Sequence, residues 1–235
     1  MIKQNKIILA LDTNNLKKAI TLVTTIEEDI IFKIGMEFFF SFGYEGILKI
    51  KTIRPNIKIF LDLKLHDIPN TVSNSIIPLI QRIKPFMVTL HATGGTEMMK
   101  GVVKSVRGNF IKKERPLLLG VTILTSLDSY ALTELGWAKD VQKNVIRYAL
   151  LCKNCGLDGI VCSALEIENV RKACGSNFSI ITPGIRLNKN IKNDQKRVMT
   201  PLEAFQRGSD FIVIGRPVMN SKHPSEEIKK ILNLK

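Results

Sequence analysis

A cluster of charged residues follows one short apolar run near the first third of the chain. Residues 62–67 read Asp-Leu-Lys-Leu-His-Asp, directly after the mostly apolar residues 57–61. Side chains two positions apart in a strand point the same way, so Asp62 and Lys64 are predicted to share one face, with Asp67 at the following turn. An ammonium group held beside carboxylates can stabilise a developing negative charge and donate a proton. The same pair could instead form a structural salt bridge at the end of a strand. The rest of the sequence is needed to distinguish these two interpretations.

Eight apolar runs rich in β-branched residues recur along the chain and alternate with stretches of helical period. The runs cover residues 7–11, 30–34, 57–63, 86–90, 117–123, 157–162, 178–182 and 211–214, and helical examples are 16–26, 71–83, 141–152 and 164–173. Continuous apolar strands joined by helical crossovers indicate parallel pairing with both faces buried. Eight such units predict an α/β fold, a (β/α)8 TIM barrel, with residues 1–235 as a single domain.

An open, doubly wound sheet is the alternative architecture for the same alternation of strands and helices. It would require a glycine-rich turn after the first strand, and residues 12–15 read Asp-Thr-Asn-Asn instead. Thr13 or Asn14 is predicted to cap the first helix. No stretch rich in Pro, Gly or Ser divides the chain, which agrees with one domain.

The chain of 235 residues carries a net charge of +14, which raises the question of an anionic partner. Its lysines are scattered over predicted helix faces, so we attribute the charge to compositional drift and expect no nucleic-acid partner, with polyanion binding as the alternative. No apolar stretch is long enough to span a bilayer, and the N-terminus is not typical of a signal peptide, so we expect a cytoplasmic protein. The four cysteines are predicted to be reduced structural thiols.

Polar residues fall at most of the predicted strand ends, which is where barrel enzymes place their active sites. They include Asp12, Lys33, Asp62, Lys64, His91, Thr125, Arg186 and Arg216. Gly215-Arg216 after the eighth strand suits a phosphate, because glycine lets backbone N–H groups approach the oxygens and arginine supplies a bidentate donor. No group of His, Cys and carboxylate residues has the spacing of metal ligands, so no metal is predicted.

These residues and their neighbours form a series of motifs along nearly the whole chain. The motifs are residues 10–12 (Ala-Leu-Asp), 32–35 (Phe-Lys-Ile-Gly), 62–71 (Asp-Leu-Lys-Leu-His-Asp-Ile-Pro-Asn-Thr), 91–95 (His-Ala-Thr-Gly-Gly), 121–126 (Val-Thr-Ile-Leu-Thr-Ser), 159–163 (Gly-Ile-Val-Cys-Ser), 182–186 (Thr-Pro-Gly-Ile-Arg), 194–197 (Asp-Gln-Lys-Arg) and 214–217 (Ile-Gly-Arg-Pro). In this order, the series resembles the orotidine 5'-phosphate decarboxylase family in its bacterial form.

The resemblance implies decarboxylation of orotidine 5'-phosphate to UMP, the last step of pyrimidine synthesis, without a cofactor. It also implies a homodimer with the active sites at the interface. Its catalytic array consists of Lys33, Asp62 and Lys64, completed by Asp67 of the other subunit.

The resemblance further implies a binding role for residues around this array. Asp12 and Lys33 bind the ribose hydroxyls, and Thr71 of the other subunit joins them. Thr125 recognises the pyrimidine, and Pro183 lines the pocket of the base and carboxylate. The phosphate end is held by Arg186, Gln195, Gly215 and Arg216. Residues 187–197, which contain Gln195, are polar and rich in lysine and are a candidate lid, with a surface loop as the alternative.

A second class of barrel enzyme shares the Asp-x-Lys-x-x-Asp strand. Metal-dependent sugar-phosphate decarboxylases and aldolases resemble this family, but they place an acidic metal ligand on strand two. This chain has Lys33 there, which would repel a divalent cation. We therefore favour the nucleotide decarboxylase and keep the metal-dependent class as the alternative.

Overall fold

Eight short parallel strands form the centre of the molecule. In the computed structural model, which describes residues 2–186 and 199–234, they are β1 (Ile7–Ala10), β2 (Ile31–Gly35), β3 (Lys58–Leu65), β4 (Met87–His91), β5 (Leu117–Val121), β6 (Gly159–Val161), β7 (Ser179–Thr182) and β8 (Phe211–Ile214). Each strand pairs with the next, and β1 also pairs with β8, with Ile8 opposite Val213. The sheet therefore closes into the predicted TIM barrel, and the open sheet is excluded.

Helices connect the strands and surround the barrel. They are α1 (Leu16–Thr25), α2 (Met36–Ile53), α3 (Pro69–Ile83), α4 (Gly95–Asn109), α5 (Ser129–Glu134), α6 (Val141–Asn154), α7 (Ile167–Cys174), α8 (Pro201–Gln206), α9 (Arg216–Met219) and α10 (Pro224–Leu232). The four predicted helical stretches correspond to α1, α3, α6 and α7. The predicted cap of α1 is wrong: Asn15 is the N-cap, and its side chain accepts a hydrogen bond from the N–H of Lys18 at 3.0 Å.

Two apolar layers explain why the strands read as continuous apolar runs. Inward-facing side chains fill the barrel with one small cluster: Ile8, Ala10, Ile31, Phe60, Met87, Leu119, Ile181 and Val213. The alternate positions face outward and pack against the helices in a larger core, as Ile59 and Leu61 do on either side of Phe60. Because both faces are covered, each strand is apolar at consecutive positions.

The four cysteines lie in this outer core as buried free thiols: Cys152, Cys155, Cys162 and Cys174. Burial, with a smaller contribution from Cys155 and Cys174, raises the pKa of Cys152 to about 12, so this thiol is protonated and unreactive at neutral pH. The predicted structural role of the cysteines is confirmed. Among the described residues, no helix is long and apolar enough to cross a membrane.

Gly159 on β6 is required by the close approach of the neighbouring strand. It pairs with Leu119 of β5 and Ser179 of β7. A Cβ atom at this position would collide with the Ser179 carbonyl group and lie 2.7 Å from the Ser179 Cβ. The obstacle is mostly backbone inside a closed sheet, which cannot move aside without disturbing the strand pairing.

We therefore expect Gly159→Ala to lower the free energy of unfolding by about 1–3 kcal/mol, the usual cost of overpacking. Gly108→Ala is the matched control, because a Cβ there meets open space near the end of α4. It should be neutral or stabilise by up to about 1 kcal/mol through helix propensity. Urea unfolding followed by circular dichroism measures both, and equal stability of the two variants would refute the close-approach argument.

Candidate active site

The inward-facing positions of the strands change from apolar to polar toward the carboxyl ends of the strands. On β2 the residue two positions after Ile31 is Lys33, and on β3 the residue two positions after Phe60 is Asp62. On β4 the residue two positions after Met87 is Thr89, which is fully buried. The period of two therefore places a polar layer directly above the apolar filling of the barrel.

Four charged groups of alternating sign form a chain of ion pairs in this layer. The Lys33 Nζ atom lies 2.9 Å from Asp12 Oδ1 and 3.4 Å from Asp62 Oδ2. The Lys64 Nζ atom lies 3.0 Å from the same Asp62 oxygen. We call these four residues the charge network. The structure thus brings together four of the predicted site residues, and each ammonium group contacts a carboxylate.

The centre of the charge network is withdrawn from water. The side chains of Lys33 and Asp62 are only 11% and 12% exposed, whereas that of Asp12 is 50% exposed. Burial by itself would raise the pKa of Asp62, but the Lys33 and Lys64 ammonium groups and a hydrogen bond from Thr89 outweigh it, so this pKa is lowered. Burial would likewise lower the pKa of Lys33, but Asp62 and Asp12 outweigh it, so that pKa is raised. Both groups are charged at neutral pH.

Strand β3 is irregular at the charge network, although Asp62 and Lys64 share one face as predicted. Leu61 pairs with Val88 and Leu65 pairs with Leu90, so β3 has two more residues than β4 between these pairs. Lys64 lies in this bulge with φ of 51°, in the left-handed region. Its side chain still lies on the same side as Asp62, whereas Leu63 and Leu65 pack against the outer core.

Thr89 is the residue of the polar layer that the sequence analysis did not single out. Its Oγ1 atom accepts a hydrogen bond from the Lys64 N–H at 2.9 Å and donates one to Asp62 Oδ1 at 3.1 Å. A signal for it exists in the sequence, since Thr89 is a polar residue between Val88 and Leu90 and follows the inward-facing Met87 by two positions.

A cavity of about 500 Å³ opens beside the charge network, within the range of small-molecule sites. Its wall includes most of the predicted site residues: Asp12, Lys33, Asp62, Lys64, Thr125, Pro183, Arg186, Gly215 and Arg216. Arg186 is buried, and its backbone N–H donates a hydrogen bond to the Met199 carbonyl at 3.0 Å. The charge network and the arginine residues therefore border one space.

Three charged or amide side chains on the described cavity wall were not predicted: Lys18, Glu37 and Asn220. Lys18 lies in the first turn of α1 and donates from Nζ to Asn220 Oδ1 at 3.4 Å, and Glu37 lies in the first turn of α2. Helices of a barrel begin at the end where the strands finish, so their first turns border the mouth. That rule could have indicated Lys18 and Glu37 from the sequence.

Asp67 and Thr71 lie away from the cavity of their own subunit. Both are exposed, and neither is on the cavity wall formed by the described residues. The Asp67 Oδ1 atom accepts a hydrogen bond from the Ile68 N–H at 2.6 Å, and the Ile68 side chain is 66% exposed. Gln195 and the candidate lid at 187–197 lie outside the described residues.

None of the three histidines belongs to the charge network or to the described wall of the cavity. The rings of His66 and His91 are 5.4 Å apart, and His91 Nδ1 lies 2.6 Å from Thr93 Oγ1. Burial, then the charges of His66 and Lys64, lower the pKa of His91, so it is neutral at pH 7. His223 is exposed near Glu226. Within residues 2–186 and 199–234, no three His, Cys, Asp or Glu side chains are grouped as a metal site would require.

A closed parallel barrel with a cavity and a buried charge network at the carboxyl ends of its strands defines an enzyme of the (β/α)8-barrel class. The family follows from comparison with known proteins. The family model of the orotidine 5'-phosphate decarboxylase / HUMPS family matches residues 5–231, and the chain belongs to this family.

Named relatives and a solved structure agree with this assignment. The orotidine 5'-phosphate decarboxylase of Wolbachia pipientis (strain wPip) is 45% identical over 229 residues, which cover 97% of each chain. That of Trichlorobacter lovleyi is 42% identical and covers 98% of this chain and 95% of its own. The crystal structure of the enzyme from Lactobacillus acidophilus superimposes with a TM-score of 0.84 at 33% identity, covering 98% of this chain and all of that one.

The lowered pKa of Asp62 makes its contribution to stability dependent on pH. Asp62→Asn should reduce the free energy of unfolding at pH 7 by about 3 kcal/mol, because it removes the carboxylate between two ammonium groups. A group with a lowered folded-state pKa stabilises the fold above its unfolded pKa, about 4, and loses this contribution as the pH falls through the folded value. The difference between wild type and variant should therefore shrink below about pH 4.

Urea unfolding between pH 3 and pH 7 measures this difference. Asp29→Asn is the control, because Asp29 pairs with Lys58 at 2.7 Å on the surface, where such a pair contributes less than about 1 kcal/mol. An Asp62→Asn difference that stays constant over the whole pH range, or a loss at Asp29 as large as at Asp62, would contradict the buried network.

Proposed function

We propose that this chain decarboxylates orotidine 5'-phosphate to UMP, the last step of pyrimidine synthesis, without a cofactor. The observation that carries the proposal is the contact of Lys64 with Asp62 inside the cavity. It occurs in a chain that belongs to the decarboxylase family and shares 39–45% identity over nearly its full length with relatives of that name.

Lys64 is the proposed stabiliser of the intermediate and the proton donor. When the bond from C6 to the carboxylate breaks, CO2 leaves and the electron pair stays on C6, where no cofactor can spread it. The Lys64 ammonium group beside C6 stabilises this charge and then transfers a proton to it, which gives UMP. Lys64 afterwards recovers a proton from water. Its contact with Asp62 holds the ammonium group in place before substrate arrives.

Asp62 is the proposed neighbour of the substrate carboxylate. Because its pKa is lowered, it is ionised at neutral pH and repels that carboxylate. Two like charges about 4 Å apart repel by roughly 4 kcal/mol at an effective dielectric near 20. At about 1.36 kcal/mol per tenfold, this repulsion supplies at most about a thousandfold, whereas enzymes reach about a millionfold or more. Stabilisation of the carbanion by Lys64 is therefore the larger effect.

The rest of the cavity suits a nucleotide. Asp12 and Lys33 are the proposed partners of the ribose hydroxyls, Thr125 of the pyrimidine, and Pro183 of the base and carboxylate. Arg186, Gly215 and Arg216 would hold the phosphate, and Gln195 would join them from outside the described residues. Binding energy from the phosphate, remote from C6, can then serve to orient the reacting groups.

The active site is proposed to be shared across a homodimer. Asp67 and Thr71 are exposed and away from their own cavity, and the neighbouring Ile68 exposes an apolar side chain. We propose that Asp67 completes the charge network of the other subunit and that Thr71 joins its ribose site. The cytoplasmic location and the lack of a nucleic-acid partner stay predictions.

The activity is tested by the loss of absorbance as orotidine 5'-phosphate is converted to UMP. We expect full turnover after exhaustive treatment with EDTA, and no turnover by folded Lys64→Ala, which lacks the proton donor. Lys58→Ala is the matched control, because Lys58 lies on the same strand but pairs with Asp29 at the surface. Ordinary turnover by Lys64→Ala would remove the proposed mechanism. A requirement for added magnesium would favour the metal-dependent sugar-phosphate enzymes instead.

The shared site is tested by mixing inactive subunits. Asp67→Ala and Lys64→Ala are exchanged in equal amounts, which makes about half of the dimers mixed, each with one intact site. About a quarter of the wild-type sites should therefore reappear, because sharing in a two-fold dimer is reciprocal.

The control mixture combines Lys64→Ala with Asp62→Ala. Both residues belong to the same subunit's part of a site, so no activity should return. If exchange is demonstrated by mass labelling and the Asp67→Ala mixture also stays inactive, Asp67 acts within its own subunit or not at all.

A further inference from the structure

We propose that Thr89 is a positioning residue for the decarboxylation, because its single hydroxyl group fixes both the backbone of Lys64 and the carboxylate of Asp62. This inference rests on the proposed function. It assigns a role to a residue that is not part of the cavity wall formed by the described residues.

The Thr89 hydroxyl forms hydrogen bonds with two residues of the charge network, Lys64 and Asp62. As an acceptor it takes the Lys64 N–H at 2.9 Å, and as a donor it gives its proton to Asp62 Oδ1 at 3.1 Å. Thr89 is fully buried, and its branched Cβ restricts the side chain to few rotamers. The hydroxyl is therefore a fixed point between Asp62 and Lys64.

The bulge in β3 makes the first of these hydrogen bonds necessary. Lys64 adopts φ of 51°, which is unfavourable for a residue with a side chain. The bulge also interrupts the regular pairing of β3 with β4 between Leu61 and Leu65. The Thr89 hydroxyl supplies the acceptor that the Lys64 N–H uses in this interrupted stretch. Without it, the backbone of Lys64 loses the contact that offsets its unfavourable conformation.

The second hydrogen bond determines which oxygen of Asp62 meets the ammonium groups. Thr89 occupies Oδ1, and Lys33 and Lys64 both contact Oδ2, at 3.4 and 3.0 Å. Rotation of the carboxylate would change both ion pairs and move the Lys64 Nζ atom. Misplacement of a reacting group by about 1 Å can cost about a hundredfold in rate. Thr89 thus controls the position of the proton donor through the backbone on one side and through Asp62 on the other.

Thr89→Val is the direct test, because valine keeps the shape of threonine and removes only the hydroxyl. We expect kcat to fall about 10- to 100-fold while KM for orotidine 5'-phosphate and the affinity for UMP stay within about threefold, since the residues proposed to bind the base and the phosphate are untouched. Thr89→Ser keeps the hydroxyl and should retain kcat within about fivefold of wild type. The Ser variant also keeps the proposal testable if valine at this position prevents folding.

Thr122→Val is the matched control for a purely structural effect. Thr122 is fully buried on the segment after β5, and its hydroxyl donates to the Val161 carbonyl at 3.1 Å without touching the charge network. It should lose stability as Thr89→Val does but keep kcat within about threefold. The proposal is overturned if Thr89→Val keeps wild-type kcat, if Thr89→Ser is as slow as Thr89→Val, or if Thr122→Val is equally slow. Wild-type protein without turnover would instead refute the proposed function itself.

Discussion

The contact between Lys33 and Asp62 is the interaction on which the site depends. Both side chains are almost fully buried, and an isolated charge in such a place would be strongly disfavoured. Lys33 and Asp62 are tolerated there because each pairs with a charge of opposite sign. Lys33 also pairs with Asp12, and Asp62 also pairs with Lys64. The Lys64 ammonium group is therefore the end of a series of ion pairs anchored in the barrel.

The closed barrel provides the conditions for this arrangement. Its strands direct every second residue inward, so the apolar filling and the polar layer above it come from the same strands two residues apart. The polar layer consequently rests on a dry surface, while the mouth above it remains open to a small molecule. The low dielectric below strengthens the electrostatic effects that the proposed reaction requires.

The sequence predicted most of the fold because each strand is buried on both faces and each helix has a clear period. It also predicted Lys33 and Asp62, since a charged residue is rarely buried in an apolar strand unless it is paired. It did not predict the bulge at Lys64, because periodicity describes regular strands and a bulge depends on the register with β4. The proposed role of Thr89 was not predicted, because its hydrogen bond to the Lys64 N–H forms where the bulge interrupts the pairing of β3 with β4.

The charge network contains two carboxylates and two ammonium groups, so its formal charges cancel. Within one subunit, each buried charge of the network is therefore compensated by an opposite charge, which allows the fold to tolerate it. In the proposed mechanism, Asp67 of the other subunit and the substrate carboxylate beside Asp62 would each add a negative charge to this group. In that mechanism, the excess of negative charge would therefore arise only when the shared site is assembled and the substrate binds, and not within the folded subunit itself.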